Sequence, residues 1–160
     1  MLKKFFMVMG IVFTGLVSTC TIVALGTVGI NAAAEAPQNK AIAAAAARDL
    51  ARAWNVNDLK PHFPGSAVSQ VDFVQAQQSF NPLKPLGALR NIDEAKQTAF
   101  HYEKKLGGVL NKTAAISMVA EFENGRANVT VRLVNEGDVM KLVHINVTPI
   151  GNVRPKKEQA

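Results

Sequence analysis

Residues 5–30 form an uninterrupted run of 26 positions without a charged side chain, preceded by Lys3 and Lys4 and followed by no basic residue before Lys40. As an α-helix rising ~1.5 Å per residue, such a run reaches roughly 39 Å, more than the ~30 Å hydrocarbon core of a bilayer. The pattern predicts a transmembrane anchor over residues 1–30. Its flanking positive charge lies on the N-terminal side, which puts the N-terminus in the cytoplasm and residues 31–160 across the membrane. A cleaved secretory signal is the rival reading, with Ala32, Ala34 and Ala36 as small residues for a peptidase, but the apolar part of a signal runs only about 7–15 residues. A lipoprotein signal ending at Cys20 is disfavoured by Thr19 before it and by the apolar run that continues beyond it.

The pattern then turns amphipathic. Residues 31–39 read as a linker, in which Pro37 interrupts any helix and Asn39 caps the next one. The alanine tract at 43–47 favours helix, with Ile42, Ala46, Leu50 and Ala53 or Trp54 on one face; Pro61 and Pro64-Gly65 end it. Ser69 precedes Asp72 at capping-box spacing, and Val71, Val74 and Gln78 continue a helical face. A second, short helix is therefore predicted near 70–79, with Phe73 and Phe80 as core candidates.

After the Pro-bounded stretch 81–85 the period becomes two. Ile116, Met118, Ala120 and Phe122 alternate with Ser117, Val119, Glu121 and Glu123; Val129, Val131 and Leu133 alternate with Asn128, Thr130 and Arg132; Val139, Val143, Ile145 and Val147 form a third run. Asn124-Gly125 is a favoured two-residue hairpin turn, and Asn135-Glu136-Gly137-Asp138 is a slightly longer one. Joints this short connect only antiparallel neighbours. With residues 98–105 as a fourth strand, the expected fold class is α+β: an N-terminal transmembrane helix, then two helices packed on a curved antiparallel β-meander of about four strands. The domain spans 40–150 and a basic tail 151–160.

The residues Leu86-Gly87, Phe122-Glu123-Asn124-Gly125, Ala127, Val129, Val131, Leu133, Val134, Lys141-Leu142 and His144-Ile145-Asn146 carry a resemblance. Together with the order helix, helix, meander, this pattern resembles the nuclear transport factor 2-like, or cystatin-like, superfamily, and within it small bacterial envelope proteins. The resemblance covers roughly 40–150 and implies a fold. It implies no activity, because its residues are hairpin and core positions.

Charge adds a limit. The formal net charge is +6, of which Lys3 and Lys4 supply two, leaving +4 beyond the anchor. These charges are dispersed and the aromatics few, so a solvated mixed surface is favoured over a nucleic-acid interface, and only Arg154, Lys156 and Lys157 cluster. Cys20 is the sole cysteine, so no intramolecular disulfide forms and the core alone must hold the domain.

Candidate chemistry is sparse. His62, His101 and His144 stand on separate segments at no metal-ligand spacing, so no metal, cofactor or catalytic residue is assigned. The best polar set for a pocket is Tyr102, Glu121, His144 and Asn146. Glu121 and Glu123 share a strand face, which cross-strand Arg132 or Lys141 would balance as an ordinary solvated surface. Gly107-Gly108 lacks the lysine and strand-to-helix context of a phosphate loop and reads as a turn. Within the apolar run, Gly10, Thr14 and Ser18 recur every four residues, as do Gly15 and Thr19, a stripe on which another helix can pack. The sequence points to a non-catalytic, single-pass inner-membrane protein with a periplasmic interaction domain, an accessory subunit or a homo-oligomer whose partners are membrane proteins. The alternative is a small-ligand module with an apolar cavity lined by Phe73, Met118, Phe122 and Leu133.

Overall fold

The computed structural model describes residues 28–104 and 110–151, with side chains described for 33–103 and 111–151. Among the described residues no helix is long and apolar enough to cross a membrane. Of the apolar run, only its last three positions are described. Gly107-Gly108 and the tail beyond 151 also lie outside the described residues.

The first helix, α1 (Val28–Ala53), contains Pro37 and runs through the stretch expected to be a linker. Pro37 removes one backbone hydrogen bond, yet the helix is fixed on both sides of it by contacts with the sheet. Lys112 Nζ lies 2.7 Å from Glu35 Oε1, the Tyr102 hydroxyl donates to the same oxygen at 3.0 Å, and Asn39 Nδ2 donates to Gln97 Oε1 at 2.9 Å. Tertiary contacts thus override the local breaker. Farther along, Ala43, Ala46, Ala47, Leu50 and Ala51 are buried, so small side chains let the helix backbone approach the sheet closely.

Trp54 ends α1 with φ 51°, a left-handed conformation usually given to glycine. Three contacts hold it there. Its indole N–H donates to the Gly87 carbonyl at 2.9 Å, its ring lies 5.4 Å from that of Phe122, and its own carbonyl accepts from Gln77 Nε2 at 2.8 Å. A 3₁₀ turn (Val56–His62) and the four-residue α2 (Gly65–Val68) then lead to α3 (Phe73–Phe80).

The α3 cap is Asp72, whose Oδ1 accepts from the backbone N–H groups of Val74 and Gln75 at 3.0 Å each. The Ser69 box does not form. Ser69 instead closes α2, its hydroxyl facing the Ser66 carbonyl at 3.5 Å. This later start changes the buried face: Ala76 and Phe80 are buried and Phe73 packs against the core, while Val74 is 72 % exposed. The face expected at Val71, Val74 and Gln78 is correct only at Val71.

Five strands form one antiparallel sheet: β1 (Leu89–Ile92), β2 (Lys96–Lys104), β3 (Leu110–Phe122), β4 (Gly125–Glu136) and β5 (Val139–Ile150). The meander β3-β4-β5 is as expected. On its other edge β3 pairs with β2 along 110–117 and with β1 along 120–122, so these two shorter strands lie end to end. β1 escapes the sequence pattern because it is four residues long and carries Arg90 and Asn91 on exposed positions.

The hairpin turns also shift. Phe122 pairs with Gly125, which makes Glu123-Asn124 the first turn, and Glu136 pairs with Val139, which makes Gly137-Asp138 the second. Gly137 takes φ 62°, whereas Gly125 needs no positive φ. The first turn is held instead by residues 85–88: Asn124 N–H donates to the Leu86 carbonyl, Glu123 N–H to the Ala88 carbonyl, and Asn124 Nδ2 to the Pro85 carbonyl.

Candidate functional site

Strand alternation sorts the sheet into two faces. Ala114, Ile116, Met118, Ala120 and Phe122 of β3 and Ala127, Val129, Val131 and Leu133 of β4 are buried, as are Met140, Leu142, Ile145 and Val147 of β5. Val143 is an extra residue opposite Arg132 and Leu133; this bulge restores the inward phase for Ile145 and Val147. The other face carries Ala115, Ser117 and Val119, then Asn128, Thr130 and Arg132, then Asn146 and Thr148, all half-buried or exposed.

Met118, Phe122 and Leu133, the expected walls of an apolar cavity, are close-packed core residues, and Phe73 covers the edge of that core. A cleft bordered by Val56, Leu59, Phe63, Val71, Phe80 and His144 measures about 20 Å³. That is room for about one water, not for an organic ligand.

The nominated polar set does not converge. Tyr102 lies on the helix-facing side of the sheet and bonds to Glu35. Glu121 pairs with Asn91 on one side and Arg126 on the other, with Arg126 Nε 3.6 Å from its carboxylate. His144 opposes Arg132, and Asn146 opposes Thr130, its amide donating to the Thr148 hydroxyl at 3.2 Å. On β3 the position level with Asn146 is Ser117, so Glu121 lies four residues, about 13 Å, further along the strand. His62 sits at the end of the 3₁₀ turn, its Nε2 2.7 Å from Asp49 Oδ2, and His101 is exposed on β2. No group of three or more potential metal ligands occurs among the described residues. Gly10, Thr14 and Ser18 lie outside the described residues.

Two arrangements were not foreseen. The first is the contact of Glu35, Tyr102 and Lys112, where the hydrogen bond to the Glu35 carboxylate raises the Lys112 ammonium above the ordinary lysine value of 10.5; partial burial opposes this and the Tyr102 hydroxyl adds to it. The second is an open cleft of about 370 Å³ between α1 and β1, lined by Arg48, Arg52, Ala88, Leu89, Arg90, Asn91 and Ile92. Arg48 and Arg52 fall off the apolar face of α1, and only the pairing of β1 with β3 brings Arg90 beside them. No family model matches the chain, and no curated protein or solved structure is significantly similar to it.

Proposed function

We propose that this chain is a membrane-anchored, non-catalytic accessory subunit of a bacterial inner-membrane complex. Its apolar run crosses the membrane with the N-terminus in the cytoplasm, and its α+β domain docks on a protein partner in the periplasm. The likeness to the nuclear transport factor 2-like superfamily belongs to the same proposal, since helices followed by a long-stranded meander are common to both.

The observation that carries the reading is the open face of the sheet. Across β3, β4 and β5 its centre holds small or uncharged side chains, with Arg132 the only charged residue between the Glu121–Arg126 pair at one end and Lys141 at the other. Three strands of 12 and 13 residues, with β1 and β2 end to end as a fourth, spaced ~4.8 Å apart, give a face of roughly 19 by 40 Å, or roughly 760 Å², with Lys96 and Glu103 on its β2 edge. A standard interface covers about 800 Å² per partner and is depleted of charge at its centre. The occupant is a different protein rather than a second copy. Arg132 on the central strand would face its own copy across a twofold axis, whereas an acidic side chain on another protein complements it.

The test is purification of the full chain from native membranes in mild detergent, as wild type and as Thr130→Arg, which adds bulk and charge to the middle of the face. A companion protein held by the wild type and lost by Thr130→Arg, at unchanged thermal midpoint, is the expected result. Gly10→Leu with Thr14→Leu weakens the same association if the membrane helix shares the interface. A wild-type monomer, or a companion retained equally by Thr130→Arg, defeats the proposal.

A further inference from the structure

Among the described residues the cleft between α1 and β1 stands apart, because three arginines, Arg48, Arg52 and Arg90, line one opening of about 370 Å³. Arg48 and Arg52 are one helical turn apart on α1, so their side chains leave the same face with Cβ atoms about 6 Å apart, a like-charge pair that destabilises a helix when nothing answers it. Only Arg52 is answered: its Nη2 lies 3.1 Å from Asp49 Oδ1, and the other Asp49 oxygen is engaged by His62. The side chains of Arg48 and Arg90 make no hydrogen bond or ion pair with the described residues. Behind them, Leu89 and Ile92 are half-buried and pack on the core, so the cleft has an apolar floor and a cationic rim.

We infer that this cleft binds a small soluble molecule carrying a phosphate or diphosphate group. Guanidinium forks take oxyanions in bidentate fashion, and two without partners, Arg48 and Arg90, beside the Asp49-paired Arg52 suit a group with several charged oxygens rather than a single carboxylate. The volume lies at the small end of ligand sites, which fits a small molecule and not a polymer. A lipid headgroup offers the same chemistry, but twenty helical residues separate Val28 from Arg48, about 30 Å of α1. On the anchored reading this places the cleft beyond the headgroup layer. That placement rests on the proposed function; the binding of a phosphate group does not.

Calorimetric titration of the full chain in non-ionic detergent with inorganic pyrophosphate, at constant ionic strength, tests the site. Saturable binding is expected, weakened roughly tenfold or more by Arg48→Gln with Arg90→Gln and unchanged by Lys84→Gln, which removes an exposed charge elsewhere. Thermal midpoints of the variants establish that they are folded. Absence of saturable binding, or equal affinity in the double variant, overturns the inference. A short-chain phosphatidylglycerol, kept below its micellar concentration, provides the second arm. If it binds through the same arginines more tightly than pyrophosphate, the soluble ligand gives way to a lipid headgroup.

Discussion

Gly87 shows how one residue without a side chain joins three parts of the chain. It has φ 79°, its carbonyl receives the Trp54 indole, and a Cβ built on it would lie 2.6 Å from Glu123 Oε2 and 2.9 Å from Glu123 Cβ. That carboxylate is not free to retreat without loss, because the same oxygen accepts the Ala88 N–H at 3.2 Å. Alanine at this position therefore combines left-handed strain with a clash against the first hairpin turn. Gly87→Ala is expected to destabilise the fold by roughly 1–3 kcal/mol, read from the urea midpoint of the purified chain. A loss below about 0.5 kcal/mol, within the usual spread of surface substitutions, would show that the turn adapts freely. Asn39 is the opposite case, a 1 % exposed amide whose Nδ2 is bonded to Gln97 while its Oδ1 has no hydrogen-bond partner among the described residues. Nothing in the sequence marks it as buried, since asparagine after proline reads most naturally as a cap.

Among the elements, α1 and the paired strands β2 and β3 are joined near the start of the described chain by Glu35, Tyr102 and Lys112. The Lys112 and Glu35 side chains are each 26 % exposed, so their direct contact is expected to contribute only about 1 kcal/mol. Its pH dependence has a definite sign. Because folding raises the Lys112 value above 10.5, the contribution is complete below that pH and disappears as the pH climbs through the higher folded value. In a Tyr102→Phe background, which removes the phenol's own titration, Lys112→Met should lower stability at about pH 9 by an amount that shrinks as the pH climbs past 10.5. A gap that does not shrink would mean that the lysine stem, not its charge, holds the helix. The same elements show what the sequence could reveal. The long strands were legible because period-two alternation survives over a dozen positions, and the alanine helix because its buried face repeats every three or four residues. The extent of α1 was not legible, since Glu35 and Asn39 find their partners 58 to 77 residues away in the chain. Nor was the arginine cleft, whose third member is supplied by a strand of four residues.

At the scale of the whole molecule, the helical course of residues 28–39 changes what an anchor would do. Nine linker residues in extended form reach about 30 Å and swivel, whereas the same nine in helix span about 14 Å and transmit rotation. Glu35 and Asn39 clamp this helix to the sheet, so on the proposed anchoring the open face and the arginine cleft keep a fixed bearing relative to the membrane segment. Helical phase then becomes measurable. Two alanines inserted between Ala32 and Ala33, ahead of the first clamp, turn the domain by about 200° and raise it about 3 Å, while four turn it through about 400°, a net of only 40°, and raise it about 6 Å. If a partner engages both the membrane helix and the open face, the two-residue insertion abolishes co-purification and the four-residue insertion largely restores it. A swivelling tether would tolerate both insertions alike. Loss with both would instead mean that height above the membrane, rather than orientation, limits the contact.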